Sequence, residues 1–542
     1  MRSSLIIVLL ATLFLTACAT HTALPVTEEG AALSAKRWQV SMTTDDGKTL
    51  YATVWQPKLA VGETAPLLLH THGFGLKRMK RRANLYATLL ASGITAKQMW
   101  QEGYWVISWD QRGHGGSDDK IHLMAMDKEV QDVTTLLDWA EEQLPNLSYD
   151  EEGIMVGMIG ESYGGGVQLL ASVQEPRLRA LIPIATWYDL EFALAPAEVP
   201  KGGWLRVLKL LGDWVNPRKL SPEVRAGFVA AKKGEVSEQV RELLDQSQMS
   251  MHCAEGHGSQ ANMLLVQGFR DVLFTPSHSL AMQQCAQESG QQTNVILVRD
   301  AHLLPGRQWS SQLPGWALDK KLYCGDEPVK LITVMKEWLN HELRHASAPE
   351  LPSICVSPKN WGLALQEWPT EYEAIALAPV ELNGKRSKRR TIWTSPQRWG
   401  AGLRSKAALA AQYDTPTDSG RQPAFWPLHT ATEQEVLVGT PKVELRSSSA
   451  EVEKVMLALV KRSAGSAKWK PVHEQEQPVW VGEESGLPEI AVRLQPGDQL
   501  GLQAYSGSPQ YRGTTLNYGA HNKISGEMYL PAVLDVEVLS KK

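Results

Sequence analysis

Cysteine is scarce in this chain, five in 542 residues, and no two of them form a C-x-x-C pair. That excludes a zinc ribbon and a thioredoxin-like redox motif. Charge of one sign is not in excess either. Lys and Arg number 55 against 59 Asp and Glu, a net of −4, and the sequence pI is near 6.4. Such a balance offers no global field to nucleic acid or to an anionic membrane. There is no internal repeat and no low-complexity tract, which argues against a solenoid or a disordered chain. The apolar run from Leu5 to Leu15 is too short to span a bilayer.

What is present is a large apolar fraction, 43%, in a chain too long for one ordinary domain. Two or three folding units are expected. The start has the character of an export signal: Arg2, the apolar run, then Leu15-Thr16-Ala17-Cys18. The last four residues are similar to a bacterial lipobox. The expectation is a signal peptide over 1–17, with Cys18 as the acylated first residue of the mature chain. Several acyl chains on one residue hold a protein at a membrane where one would only dwell briefly. Ala19 rather than Asp at the next position directs the expectation to the outer membrane of a Gram-negative cell envelope. Residues 18–36 are small and polar, suited to a tether. The remaining cysteines, Cys253, Cys285, Cys324 and Cys355, allow two disulfides in three pairings.

From Arg37 the pattern becomes structural. Alternation up to Met42, a turn at Asp46-Gly47, and alternation again from Leu50 to Trp55 read as a β-hairpin. Short apolar strands then recur at 66–70, 104–109, 153–159, 178–185, 262–267 and 293–298. Helix-length segments separate them, and a helix over about 327–345 closes the region. Strands alternating with helices predict a parallel sheet covered on both faces, an α/β fold. Between about 187 and 258 no strand is evident, which reads as a helical cap over the sheet. A linker is expected at 346–371. From 372 to 542 alternating runs such as Ile490 to Leu494 predict an antiparallel β-sandwich or jelly roll.

The most specific signal is Gly160-Glu161-Ser162-Tyr163-Gly164-Gly165-Gly166, between the strand ending at Ile159 and the helical run from Val167. Strand, G-x-S-x-G and helix together make a nucleophile elbow, the mark of the α/β-hydrolase fold. In chain order that fold calls next for an acid and a base, each after a strand. Asp271 follows the strand ending at Gln267, and His302 follows the next strand, 31 residues on. Asp300 is a rival acid, but its neighbour's ring would have to turn its far nitrogen back to reach it. Oxyanion donors are expected at the backbone N–H of Tyr163 and of Phe74, the latter in Thr71-His72-Gly73-Phe74-Gly75. The loop Asp110-Gln111-Arg112-Gly113-His114-Gly115-Gly116-Ser117 reads as a brace built on an Asp110–Arg112 pair.

His341-Glu342-Leu343-Arg344-His345 is literally H-E-x-x-H. Yet Ile332, Met335 and Leu339 define an apolar face, and at about 100° per residue both histidines fall opposite it. A solvent-facing pair at a helix end is expected, with no metal and no cofactor. The basic runs Lys77 to Arg82 and Lys385 to Arg390 read as solvated surface.

The elbow, the run Leu264-Leu265-Val266-Gln267-Gly268-Phe269-Arg270-Asp271-Val272-Leu273-Phe274, and His302 resemble the X-Pro dipeptidyl-peptidase/cocaine esterase family of serine hydrolases. The order of parts is similar too, hydrolase first and β jelly roll second. The resemblance implies ester, amide or peptide hydrolysis through an acyl-enzyme, with a small-molecule substrate and no nucleic-acid partner. Phe74 stands where family members often carry a tyrosine whose hydroxyl completes the oxyanion hole. Asp300-Ala301-His302 replaces Gly-Gly-His, and the extra N-terminal helical domain of the dipeptidases has no counterpart. Ester or amide cleavage is therefore favoured over dipeptide release. The competing expectations are an idle envelope protein that binds glycan through its β-domain, and a zinc protease.

Overall fold

The computed structural model describes residues 30–81, 90–215, 219–302, 321–324, 328–382, 424–505, 508, 510–511, 516, 518 and 521–534. The signal segment, Cys18, most of the tether and the basic run at 385–390 lie outside these.

A ten-stranded sheet organises the first two thirds of the chain. Its strands in chain order are β1 Lys36–Thr43, β2 Thr49–Gln56, β3 Leu67–Thr71, β4 Trp105–Asp110, β5 Val156–Glu161, β6 Ala180–Ile184, β7 Asn262–Gly268, β8 Thr293–Val298, β9 Ile354–Ser357 and β10 Leu363–Leu365. Across the sheet they run β1-β2-β4-β3-β5-β6-β7-β8-β9-β10. From β4 to β9 every pairing is parallel. The hairpin β1–β2 and the last strand β10 join antiparallel. The central strands are buried along their whole length because both faces are covered, which is why they read as unbroken apolar runs. On β7, Met263 and Leu265 enter one core, while Leu264 and Val266 enter the other.

The expected linker at 346–371 is corrected here. It contributes β9 and β10, which extend the sheet. Short apolar runs in a Pro-flanked stretch gave no period from which to read them.

Helices α1 Ala91–Gln101, α2 Gln131–Gln143 and α3 Tyr163–Gln174 cover the sheet. The interval between β6 and β7 is helical: α4 Leu190–Leu194, α5 Gly202–Val215, α6 Pro222–Lys233, α7 Glu238–Asp245 and α8 Met249–Ala254. Ser221 caps α6 by accepting from Val224 N–H, Pro222 starts it, and Gly234 ends it in the left-handed region. These helices form the cap. Two more, α9 Pro276–Glu288 and α10 Leu331–Arg344, complete the α/β unit. Disulfides join Cys253 to Cys285, which ties the cap's last helix to α9, and Cys324 to Cys355 on β9.

The β-rich remainder comprises antiparallel pairings only, among the described residues. Tyr372–Glu381, Lys523–Pro531 and Lys442–Ser447 lie in one sheet; Phe425–Thr430, Gln499–Tyr505 and Lys454–Arg462 lie in another. Their inward residues, among them Leu445, Leu457, Leu502 and Met528, form a separate core. The pair Glu435–Gly439 and Ile490–Leu494 instead lends Val436, Val438 and Ala491 to the core of the α/β unit. The two units are therefore fused by apolar packing as well as by the chain.

Among the described residues no helix is long and apolar enough to cross a membrane. Helix α10 buries Ile332, Met335, Trp338 and Leu339. His341 Nδ1 lies 2.8 Å from the carbonyl of Ala346, and Glu342 accepts from Asn262.

Candidate active site

Strand β5 is cut off after Glu161 by a turn in which Ser162 adopts φ 55°, ψ −114°. A non-glycine residue in this region is strained, and the surroundings hold it there. Ser162 N–H donates to the carbonyl of Ile184, and its own carbonyl accepts from Thr186 and from Gly165 and Gly166 N–H. The first turn of α3 can begin so close to the sheet only because Gly164 lacks a side chain. A Cβ there would come within 3.0 Å of the Thr71 carbonyl oxygen and 3.1 Å of that of His72.

Asp271 sits in the loop after β7 and is fully buried. Its Oδ1 accepts from Leu273 and Phe274 N–H at 2.9 and 3.0 Å. Its Oδ2 lies 2.8 Å from His302 Nδ1 and accepts from Gln267 Nε2 at 3.2 Å. His302, in the loop after β8, places Nε2 3.1 Å from Ser162 Oγ. The rings of Phe274 and Trp204 meet the imidazole edge-on at 5.0 and 5.7 Å. Three residues far apart in the chain thus stand in one hydrogen-bonded line. With Asp271 on Nδ1, the imidazole keeps Nε2 free to accept the serine proton. The rival Asp300 instead offers its backbone carbonyl to Arg270 N–H.

The N–H groups of Phe74 and Tyr163 find no acceptor among the described residues. Both residues border the space in front of Ser162. Unengaged donors beside a nucleophile can receive a developing oxyanion. His72 Nε2 accepts from Gln111 N–H, and its Nδ1 lies 2.9 Å from the carbonyl of Gly73, so it ties the ends of β3 and β4 together. Burial holds its pKa below the ordinary histidine value, against the opposing charge of Asp110.

The brace differs from the expected one. Asp110 pairs with Arg78, taking both its backbone N–H and its guanidinium, and with Gly116 N–H. Arg112 turns away to Asp132 and Asp46. Two residues apart at a strand end, Asp110 and Arg112 leave the turn in different directions. Gly115, at φ +54°, is forced by this loop, since a Cβ there would lie 2.1 Å from the Asp110 carboxylate. Arg78, read as part of a solvated basic run, is 3% exposed, while Lys77, Lys80 and Arg81 do face solvent.

Sequence reasoning missed three groups. Glu161, beside Ser162, accepts from Ser92 N–H and its hydroxyl, and burial raises its pKa to about 7. Gln475, from the β-rich unit, donates to the carbonyls of both Phe269 and Asp271 at 2.9 Å. Arg270 pairs with Glu474, and His473 stacks on Phe269 at 4.8 Å. The loop carrying Asp271 is therefore held from the β-rich unit. Lys201, just before α5 of the cap, is buried and donates to the carbonyl of Leu273 at 3.1 Å. No motif marks Gln475 or Lys201.

Burial lowers Lys201 from 10.5 to about 7, against the opposing charge of Asp271. Between pH 7 and 10.5 the unfolded chain holds a proton here that the folded chain lacks, so this residue makes stability rise with pH across that window. Lys201→Met is expected to flatten that rise. The measurement is the wild-type-minus-variant difference in denaturation midpoint at pH 6, 8 and 10. A difference that does not move toward the wild type's favour with pH would refute the assignment.

Residues 46–304, which include Ser162, Asp271 and His302, match the family described as X-Pro dipeptidyl-peptidase (S15 family). An aminopeptidase from a marine sediment archaeon, Thaumarchaeota archaeon, is similar over 94% of this chain and 98% of its own, with TM-score 0.64 and 16% identity. An alpha-amino acid ester hydrolase is similar over 96% and 100%, with TM-score 0.58 and 14% identity. A CocE/NonD family hydrolase from Staphylococcus aureus covers 93% and 94%, with TM-score 0.57 and 12% identity. At these identities the likeness is one of fold, an α/β-hydrolase followed by a β-rich domain. An uncharacterized 31.7 kDa Escherichia coli protein from the traX-finO intergenic region is 28% identical over 125 residues, 23% of this chain. The chain spans 38% of the length of such curated relatives.

Proposed function

We propose that this serine hydrolase, similar to the X-Pro dipeptidyl-peptidases in residues 46–304, cleaves ester or amide bonds through an acyl-enzyme built on Ser162, His302 and Asp271. The observation that carries the reading is the line Ser162 Oγ, His302 Nε2, His302 Nδ1, Asp271 Oδ2, with gaps of 3.1 and 2.8 Å. Ser162 Oγ attacks the substrate carbonyl as its proton passes to His302 Nε2. Asp271, accepting from Nδ1–H, orients the ring and stabilises the imidazolium. The N–H groups of Tyr163 and Phe74 hold the oxyanion. Collapse of the tetrahedral species returns the proton from Nε2 to the leaving group. Water repeats the sequence and frees Ser162.

A fluorophosphonate probe tests the reading. The full chain is expected to be labelled stoichiometrically, and Ser162→Ala not at all. A chain that takes no label fits the idle glycan binder instead. Activity abolished by chelators without labelling fits a zinc protease.

The site of action is proposed from Leu15-Thr16-Ala17-Cys18, which suits acylation of Cys18 and an outer-membrane anchor. Uptake of a fatty-acid analogue by the wild type and none by Cys18→Ala is expected. Unlabelled, normally matured wild type would refute the anchor.

A further inference from the structure

Two recesses meet at Ser162. One runs beneath the cap, about 860 Å³ with part of it open to solvent. Ser162, Tyr163 and Phe74 form its inner end. Its walls are aliphatic and aromatic side chains of the cap: Leu194 of α4, Leu208 of α5, Phe228 of α6, Val240 and Leu244 of α7. Among the described residues its one charged lining side chain is Glu235, which is exposed in the turn between α6 and α7. The other recess shares Ser162, Phe74 and Leu208 with the first; it too has apolar walls, but it alone of the two is lined by His302, Asp271, Asp300 and Glu161.

Reaction chemistry assigns one part of the substrate to each. The leaving group must receive its proton from His302 Nε2, so it lies on the side His302 lines. The acyl remainder must continue past the oxyanion donors on the side His302 does not line. That side is the recess under the cap. An ammonium pushed against its walls would lose hydration and find no carboxylate there except Glu235 at the solvent edge, a costly exchange. A methylene chain would instead gain by leaving water.

We infer that the recess beneath the cap is an acyl subsite for an unbranched, uncharged aliphatic chain, so that the enzyme's substrates are medium-chain fatty acyl esters. The inference rests on Ser162 as the nucleophile. It sets this chain apart from hydrolases whose acyl group carries a free α-amine.

The test uses p-nitrophenyl esters with the full chain. From acetyl through butyryl and hexanoyl to octanoyl, kcat/KM is expected to rise about three- to four-fold per added methylene. The norleucyl ester, which is the hexanoyl ester with an α-amine, is expected to fall at least about ten-fold below hexanoyl. Gly227 on α6 lines the recess, and a Cβ there meets only Val240, at 3.8 Å. Gly227→Phe should therefore fill the recess and lower the octanoyl-to-acetyl ratio by about ten-fold or more. A flat or falling chain-length series, or a preference for norleucyl over hexanoyl, overturns the inference. Calorimetric titration of Ser162→Ala with 1-octanol reads the subsite without turnover. Binding is expected, weakened at least ten-fold by Gly227→Phe, and its absence also overturns the inference. If Ser162→Ala instead hydrolyses esters at the wild-type rate, the nucleophile reading fails, and octanol binding still decides the subsite.

Discussion

Ser162→Ala and His302→Ala are each expected to lower kcat by about 10⁴-fold or more, and the double variant to be hardly worse than either. The reason is that the two side chains perform one act. Without the imidazole at 3.1 Å, the hydroxyl of Ser162 keeps its proton; without the hydroxyl, the imidazole has nothing to activate. Losses that multiply would mean that the two residues work separately, and would sink the acyl-enzyme reading. Asp271→Asn should cost nearly as much for a different reason. An amide in that place presents an N–H to Nδ1 and favours the tautomer that leaves Nε2 protonated and unable to accept. Its carboxylate also takes two backbone N–H groups, so the variant's fold should be checked by circular dichroism beside the rate.

Arg112→Met is expected to destabilise the chain by about 3–5 kcal/mol without touching the reacting groups. Arg112 and Asp132 are both almost wholly buried, and the guanidinium reaches Asp132 at 2.8 Å. A second carboxylate, Asp46, is engaged at 2.6 Å at the hairpin turn. Burial already raises Asp132 to about 6 in spite of the arginine, which shows how unwelcome a lone carboxylate would be. The measurement is the shift of the urea midpoint. Arg112→Met combined with Asp132→Leu should recover most of the loss, because it removes the stranded charge along with its partner. If the double variant is no more stable than Arg112→Met, the loss comes from packing and the electrostatic account is wrong.

What could be read from the sequence was what is decided over a few residues. The elbow is local: strand, strained serine, small residues, helix. Asp271 and His302 are local as well, because a parallel sheet delivers the end of each strand to the same edge, and the order of strands in the chain follows from the alternation of apolar runs. The cap was legible as a gap in that alternation. Strands β9 and β10 were not, being four and three residues long with no period to count. The partners of long polar side chains were not legible either. Arg78 reaches Asp110 across 32 residues, and Arg112 reaches Asp46 across 66. A guanidinium in a basic run looks solvated until the fold supplies the carboxylate that takes it inside. Lys201 is a stronger case, since a lone lysine at a helix start carries no sign that it will be buried beside an acid.

The bonds from Gln475 to the carbonyls of Phe269 and Asp271 span 206 and 204 residues. A ribosome adds about 5–20 residues each second. Roughly 10–40 s therefore separate the emergence of Asp271 from that of the amide that clasps its loop. Once His302 follows, 31 residues after Asp271, all three members of the Ser162–His302–Asp271 line have been synthesised, yet Gln475 has not. The clasp is a late event in the life of each molecule, and the finished geometry belongs to the completed polypeptide.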